Sequence, residues 1–314
     1  MSPVHHTLPR SLWLLLIALT LCWGFNWPMM KLALAELPVW SFRAACIGGG
    51  AAGLFAIARL QRLPIRLRQG QFTRLAVASL FNVTAWNVLI GYGVSLMPSG
   101  RSAILAYTMP LWTVVLAIFF LHERLTLRKA TGIALGMGGL GLLLGSELMI
   151  LGSAPAGALL ILAAALSWAT GTIIIRRWPV DLPTTSFVGW QLLLGGIPVL
   201  LGAIILEQGR LQPISPVATG ALLYSMLIAF VFCHWAWFKL ATTAPAGIAA
   251  MSTMMIPVVG VFSGMVVLQE QPRWQEYAAL ALVTLALATV LIPGRAIVRK
   301  AKSVTGPGQS GHSG

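Results

Sequence analysis

Two polar side chains interrupt apolar stretches of this sequence at an interval of 147 residues. Asn87 follows Trp86, and His234 precedes Trp235. An amide and an imidazole both donate and accept hydrogen bonds, and an imidazole can also carry a proton near neutral pH. A polar group left unpaired in an apolar environment costs on the order of 2–7 kcal/mol. We therefore expect both side chains to face the interior, to approach each other and to be available to a polar small molecule.

Further aromatic and amide side chains are predicted to line the same region. Aromatic walls with a few hydrogen-bonding groups are the usual lining of a small-molecule pocket. The predicted substrate-binding residues are Trp23, Asn26, Trp86, Asn87, Tyr107, Trp168, Trp190, Gln191, His234 and Trp235. For Trp23, Trp168 and Trp190 the alternative to a pocket or gate is plain packing.

Charged residues make up only 9% of the chain, and three of them stand where a gate or a helix end is expected. Arg43 lies about one turn inside an apolar stretch, where it would hold an anionic group or a helix C-terminus, or extend to the surface. Glu123 and Glu270 each end an apolar stretch, again 147 residues apart. We interpret them as helix-end caps or as gate partners of the neighbouring Arg124 and Arg273.

The arrangements that enzymes require are missing from the sequence. A zinc protease needs an H-E-x-x-H motif, and the chain has none. Its histidines are His5, His6, His122, His234 and His312. The seven acidic residues fall at the ends of apolar stretches rather than as a close pair, and Cys22, Cys46 and Cys233 lie singly inside apolar stretches. We predict no enzymatic activity, no catalytic residue, no cofactor and no metal site.

Ten apolar stretches must position the candidate residues. Hydrophobic residues form 58% of the chain, and a helix that crosses a membrane needs about 20 mostly apolar residues. The stretches are 12–31, 38–58, 73–97, 101–121, 129–147, 155–175, 185–206, 217–238, 246–268 and 274–293. Because the hydrocarbon interior offers no partner to backbone groups, the sequence predicts an all-α membrane protein with ten transmembrane helices. Trp13, Trp40, Trp178 and Trp274, near the ends of stretches, are expected to anchor in the membrane surface.

The chain repeats itself after five of these stretches. A shift of 145 residues aligns Trp23 with Trp168, and a later shift of 147 aligns Glu123 with Glu270. Because five is an odd number, the second copy is predicted to cross the membrane in the opposite direction. Inverted repeats of this kind are frequent in secondary transporters, whose substrate site lies near the midplane between the halves.

The distribution of basic residues predicts the orientation. With both termini in the cytoplasm, 16 of the 21 Lys and Arg residues fall on the cytoplasmic side, as the positive-inside rule requires. The net charge of +14 is therefore interpreted as a topology signal and not as nucleic-acid binding. The predicted segments are a cytoplasmic N-terminus 1–11, a first repeat 12–148, an extracytoplasmic linker 149–154, a second repeat 155–293 and a basic, then disordered, cytoplasmic tail 294–314.

Prolines and glycines predict how the helices bend and pack. Pro110 and Pro257 fall near the middle of the fourth and ninth stretches, where each is expected to kink a helix. The kinks serve either as hinges or as static bends. The fifth stretch carries small residues at GxxxG spacing, including Gly132 and Gly136, and the tenth is rich in alanine. We therefore expect the fifth and tenth helices to pack closely together.

The repeated residues resemble the EamA-type branch of the drug/metabolite transporter superfamily. The first copy carries Leu21-Cys22-Trp23-Gly24, Lys31, Pro38, Arg43, Pro98, Gly100, Ala103, Tyr107, Pro110, Glu123-Arg124-Leu125 and Gly132. The second copy carries Pro245, Gly247, Pro257 and Glu270, and has Ala169 in place of the first glycine. The resemblance covers nearly all of residues 12–293. It implies ten helices in two halves, and export or facilitated movement of small metabolites without fixing the substrate.

Two functional hypotheses follow. The first is a secondary transporter in the cytoplasmic membrane, an exporter or facilitator that moves small metabolites such as amino acids by alternating access. The alternative is a flippase for lipids or lipid-linked headgroups. A channel is disfavoured because no polar stripe runs through several stretches. His234 is the one titratable group expected at the membrane centre that could couple transport to protons, and otherwise the protein is a facilitator or exchanger. The expected partners are a small molecule and the bilayer, with a monomer or weak homodimer as the assembly.

Overall fold

The computed structural model describes residues 10–68, 70–151, 156–243 and 246–291, and every regular element in these ranges is a helix. We number the helices α1 to α10, joining consecutive segments of one helix. They are α1 (Arg10–Leu34), α2 (Val39–Leu60), α3 (Gln71–Leu96), α4 (Ser99–Phe120), α5 (Leu127–Leu151), α6 (Ala156–Arg177), α7 (Thr184–Leu206), α8 (216–243), α9 (Ala246–Leu268) and α10 (Trp274–Leu291).

Nine of the described helices are long and apolar enough to cross a membrane, which needs about 20 apolar residues in a helix. In α9, the part that qualifies as an apolar helix is the shorter segment Thr253–Leu268. The predicted all-α, multi-pass architecture is confirmed. The C-terminal tail and most of the N-terminal segment and linker lie outside the described residues, and α5 continues to Leu151, three residues into the predicted linker.

Two helices change their winding at equivalent points of the repeat. The helix α3 contains a π-helical segment, Leu80–Ala85, and α8 contains another, Tyr224–Cys233. The first ends directly before Trp86 and Asn87, and the second directly before His234 and Trp235. Segments with π-helical hydrogen bonding are rare and frequently lie at functional sites. The repeat therefore includes the local backbone around the two predicted polar residues.

The two equivalent prolines have different effects on the backbone. The first segment of α4 ends at Ala106, and a second segment begins at Met109 with Pro110 in its first turn. Proline is tolerated there because the first turn of a helix has no internal partner for that N–H. In contrast, α9 is assigned as one helix through Pro257. The bend predicted at Pro110 is thus an interruption of the helix, and the hinge role of both prolines remains a prediction.

The two halves pack through symmetric pairs of helices. If each helix is replaced by its counterpart in the other half, the same set of pairs results. Close pairs are α2 with α7, α5 with α10, α1 with α9 and α4 with α6. Between α5 and α10, a Cβ added at Gly132 would lie 2.5 Å from Thr289 Oγ1 and 3.2 Å from the Ala286 carbonyl oxygen. Only a residue without a side chain allows this approach. The expected close packing of the fifth and tenth helices is confirmed.

Candidate functional site

Two aromatic contacts connect the halves, and each involves one of the repeat-equivalent tryptophans, Trp23 or Trp168. The rings of Trp23 in α1 and His234 in α8 meet edge to face, with centroids 5.4 Å apart. The rings of Trp168 in α6 and Trp86 in α3 are tilted, with centroids 5.0 Å apart. These separations are typical of stabilising aromatic pairs. In each case the first helix of one half meets the third helix of the other half directly after its π-helical segment.

Hydrogen bonds strengthen the same two junctions. In the α1–α8 junction, Ser225 Oγ donates to Asn26 Oδ1 at 2.9 Å, and the Tyr224 hydroxyl donates to the Cys22 carbonyl at 2.9 Å. In the α6–α3 junction, Ser167 Oγ donates to the Phe81 carbonyl at 2.9 Å. Each bond joins the first helix of one half to a π-helical segment of the other. We call these two contact regions the aromatic junctions.

Asn87 and His234 find hydrogen-bond partners in their own helices. Asn87 Nδ2 donates to the Val83 carbonyl at 2.9 Å, and His234 Nδ1 lies 3.0 Å from the Ala229 carbonyl. Both carbonyls belong to π-helical segments. Among the described residues, no hydrogen bond joins Asn87 to His234. Their expected approach to each other therefore remains a prediction. The π-helical winding provides a local acceptor to each, so neither needs the other.

Four further candidates lie outside these contacts. Trp190 Nε1 donates to the Ile65 carbonyl at 2.7 Å, which ties α7 to the connection between α2 and α3. Gln191 is buried, and its Nε2 has no partner. Tyr107, at the interruption of α4, packs edge to face on Trp27, and Trp235 lies under the ammonium group of Lys239. The structure thus distributes the predicted pocket residues over several helix contacts, and their binding role remains a prediction.

One face of the bundle is closed by carboxylates, each of which joins one half to the other. We call it the acidic face, and its carboxylates belong to Glu36, Glu207, Glu270 and Glu276. The helices α2 and α4 begin at this face after Pro38 and Pro98, which have no side-chain acceptor for the first amide groups. Such amide groups need an acceptor from elsewhere.

Glu207 and Glu270 supply these acceptors. Glu207, at the end of α7, accepts from the Trp40 amide at 3.0 Å and from the Ser41 amide and hydroxyl at 2.7 and 2.8 Å. Glu270, which follows α9, accepts from the amides of Ser99 at 2.6 Å and Gly100 at 3.1 Å. A carboxylate at a helix N-terminus also interacts favourably with the helix dipole. Glu270 therefore caps the first turn of another helix, α4, and its role as a gate partner of Arg273 remains a prediction.

Of the remaining bonds of the acidic face, those of Glu36 and Glu276 join the two halves, and those of Lys31 join two helices of the first half. Glu36 accepts from the Ser215 amide and hydroxyl, both at 2.6 Å, and these bonds hold the pKa of Glu36 below its ordinary value. Glu276 forms a salt bridge with Arg101 that is largely buried. Lys31, at the end of α1, donates to the Val94, Ser95 and Met97 carbonyls at the end of α3, at 2.7 to 3.2 Å.

Bonds between the halves on the opposite face are more exposed. The Arg68–Asp181 salt bridge spans 2.8 Å, and its side chains are 76% and 73% exposed. Glu123 pairs with Lys129 at 2.8 Å and with Arg176 on the other half. Hydrogen bonds from Lys129, then from Arg176, lower the pKa of Glu123. Cations on α5 and α6 therefore reach the carboxylate of Glu123, and its role as a helix-end cap or gate partner of Arg124 remains a prediction.

Arg43 is buried rather than extended to the surface. Its side chain is 2% exposed, one Nη lies 3.1 Å from Met30 Sδ, and Nε has no hydrogen-bond partner. The guanidinium carbon lies 5.3 Å from the centre of the Phe42 ring. The surface alternative is wrong, since the guanidinium group is enclosed between α1, α2 and α3.

Comparison with known proteins identifies the family. The model of the EamA-like transporter family matches residues 11–145 and again residues 155–292. The chain belongs to the EamA-like transporter family. The family domain is therefore present twice, which agrees with the repeat of helices, π-helical segments and aromatic junctions in this EamA-like protein.

Related proteins carry names of transporters. An uncharacterized transporter, YoaV, of Bacillus subtilis is 28% identical over 82% of this chain and 88% of its own length. A probable amino-acid metabolite efflux pump of Salmonella typhimurium is 25% identical over 86% of this chain and 91% of its own. A crystal structure with 20% identity superposes with a TM-score of 0.63 and covers 94% of this chain and all of the other, so it shares the fold. This EamA-like protein is similar to proteins named as transporters and efflux pumps.

Sequence reasoning missed several residues that hold the acidic face together. Glu207, Glu276 and Lys31 were not among the candidates, although they form hydrogen bonds or ion pairs between helix ends. A signal for Glu207 exists in the sequence: proline precedes α2, so its first amide groups need a distant acceptor.

Proposed function

We propose that this protein is a secondary transporter that moves small metabolites, such as amino acids or related compounds, across the cytoplasmic membrane by alternating access. The observation that carries this proposal is the pair of aromatic junctions, each built on one of the repeat-equivalent tryptophans Trp23 and Trp168. A family of transporters and relatives named as efflux pumps support the same function. An enzymatic role has no support from the chemistry of these residues.

Alternating access explains why the junctions occur twice. In an inverted repeat, each half can adopt the conformation of the other, and this exchange opens one face while it closes the opposite one. The α1–α8 junction, with Trp23, and the α6–α3 junction, with Trp168, lie where such movement changes the distance between helices. Residues around them, including Asn87 and Trp86, would then contact a substrate in turn with each half.

The distribution of bonds between the halves supports a state that is closed at the acidic face. Glu207 is 5% exposed, and the Arg101–Glu276 pair is largely buried. Arg68 and Asp181 on the opposite face are mostly exposed. Water screens exposed ion pairs and leaves them little net stability, whereas carboxylates bonded to buried helix ends hold more firmly. The exposed bonds of the opposite face are the ones that break more easily.

We assign the acidic face to the outside of the cell. The positive-inside rule places the arginine-rich connections in the cytoplasm. Ten spans then bring both termini to the cytoplasmic side, and the structure corresponds to a state closed to the outside. Reporter fusions test this orientation: fusions after Arg68 and Arg128 should report cytoplasm, and fusions after Arg210 the outside. The reverse pattern would contradict the assignment.

Transport by facilitation or exchange agrees best with the surroundings of His234. Its Nδ1 faces a carbonyl, so the neutral ring with Nδ1 protonated leaves Nε2 as an acceptor for a substrate donor. No carboxylate forms an ion pair with His234 among the described residues. A proton acquired there would lack a charged partner in the bundle. Proton coupling through His234 is the less favoured mechanism.

Counterflow in proteoliposomes tests the proposed function. Purified protein is reconstituted, loaded with single metabolites and assayed for exchange with a labelled panel of amino acids and related compounds. We expect saturable exchange of one or a few compounds. Exchange of none of them, together with movement of fluorescent lipid between leaflets, would favour the flippase alternative instead.

Variants at the aromatic junctions connect transport with the proposed site. We expect Trp168→Ala or Trp23→Ala to reduce exchange at least tenfold while expression and melting temperature stay near those of the wild type. Trp178→Ala is the matched control, because Trp178 lies exposed at the end of α6. If the junction variants lose folding in proportion to exchange, the tryptophans serve packing only.

A further inference from the structure

Arg43 is a buried cation without an acidic partner among the residues that the structure describes. Its Nε has no hydrogen-bond partner, and one Nη faces the thioether of Met30. No carboxylate in the described part of the chain forms an ion pair with it. A thioether sulfur is only a weak acceptor. A charged group buried in this way is costly, and in membrane proteins such groups usually serve function.

The fold does not require a cation at this position. The repeat aligns Ser41 with Ser186 and Phe42 with Phe187, so Arg43 corresponds to Val188 in the second half. Val188 is buried in α7 just as Arg43 is buried in α2, and these two helices form one of the close pairs of the bundle. An apolar side chain therefore satisfies the same structural position. The charge of Arg43 needs an explanation outside the packing of the repeat.

The neighbours of Arg43 pack closely around the guanidinium group and connect it to aromatic side chains. Gly91 of α3 lies beside the guanidinium group, where an added Cβ would come within 3.4 Å of Nε. On α1, Met30 shares a face with Trp27 and Trp23, at the spacing of one and two turns. Trp27 packs against Tyr107 at the interruption of α4. A molecule held at Arg43 would meet this aromatic surface about one turn, ~5 Å, further along α1.

We propose that Arg43 binds the carboxylate of the transported molecule, which makes small metabolites with a free carboxylate the substrate class. This inference rests on the proposed transport function. A guanidinium group matches a carboxylate with two parallel hydrogen bonds, and a carboxylate is a far stronger acceptor than the thioether it would displace. The substrate carboxylate takes the place at Nε and Nη, and the rest of the molecule lies along Trp27 and Tyr107. When the acidic face is closed, the site is enclosed, as the 2% exposure of Arg43 shows.

Exchange of matched acids and amides tests the role of Arg43. Proteoliposomes are assayed with a panel of L-amino acids and 2-oxo acids and with the corresponding carboxamides. We expect the wild type to prefer the acids at least tenfold. We expect Arg43→Met to lose this preference, because the acids lose their partner and the amides do not. Arg43→Lys should retain part of the preference, since the charge remains without the paired donors.

Two controls separate a binding role from a structural one. Arg43→Met should melt at or above the wild-type temperature, because an apolar side chain suits the position as Val188 does. Arg210→Gln removes an exposed cation on the same face and should leave the preference for acids unchanged. If the wild type exchanges acids and amides equally, or if Arg43→Met keeps the preference, transport stands and the assignment of Arg43 is overturned. If the wild type exchanges neither kind of compound, both the assignment and the proposed transport function fail.

Discussion

Glu207, which ends α7, accepts hydrogen bonds from both the amide and the hydroxyl of Ser41 at the start of α2. The bond connects the end of one helix to the beginning of its close packing partner in the other half. At the opposite face α7 also begins after a proline, Pro183. There the equivalent end of α2 carries Gln61 and then Arg62 in place of an acid. The repeat is therefore asymmetric in the bonds that close its two faces.

Removal of the charge at Glu207 should weaken the closed acidic face. In Glu207→Gln the side chain keeps one acceptor oxygen but loses its charge, and hydrogen bonds to charged groups contribute about 1.5–3 kcal/mol. We expect a lower melting temperature and faster labelling of a cysteine introduced at Ser41. Gln208→Ala, at the exposed neighbouring residue, is the control. Labelling rates equal to the wild type would contradict a closing role for Glu207.

Glycines of α5 that face α10 should tolerate substitution poorly, and glycines of α5 with no neighbour should tolerate it well. A leucine at Gly132 would collide with Thr289 and the Ala286 carbonyl of α10, whereas nothing lies within 4 Å of a Cβ added at Gly141. Overpacking typically costs about 1–3 kcal/mol. We therefore expect Gly132→Leu to lower the melting temperature by several degrees and Gly141→Leu to leave it unchanged or raise it. Similar melting of both variants would disprove the close α5–α10 contact.

The sequence predicts the helices and the repeat well because these depend on local apolar length and on residue types that recur at fixed intervals. Trp23 and Trp168, identified from the repeat, each pack on a ring of the other half, although these rings, His234 and Trp86, are not repeat equivalents. The partner of His234 was not predictable in the same way, because the π-helical segment brings the carbonyl five residues back, that of Ala229, within reach of the ring. The acceptors for the first turns of α2 and α4 come from Glu207 and Glu270, more than 160 residues away in the sequence. Such pairs depend on tertiary structure.

Acid should selectively weaken the Glu123 bonds to Lys129 and Arg176. The pKa of Glu123 in the folded protein lies below its ordinary value of 4.5. The ionised carboxylate therefore stabilises the folded state above the ordinary pKa, and this contribution is lost as the pH falls through the lowered one. We expect wild type to melt above Glu123→Gln at pH 7, and the difference to shrink as the pH falls below 4.5 and to disappear once the pH lies below the lowered pKa. A difference that does not change with pH would show that the charge of Glu123 contributes nothing.

The last prediction concerns the driving force of transport, and it depends on His234. The ring contacts Trp23, and Nδ1 faces the Ala229 carbonyl, so protonation would place a charge beside aromatic rings and neutral backbone acceptors. A buried cation without a carboxylate partner is unfavourable. We therefore expect counterflow in the wild type to proceed without a pH gradient and to gain less than twofold from one imposed across the liposome membrane. His234→Gln keeps a hydrogen-bonding side chain that cannot titrate, and it should exchange at a rate close to the wild type. Strong acceleration by a pH gradient in the wild type, abolished in His234→Gln, would instead show that His234 couples transport to protons and that the protein is a proton-driven exporter.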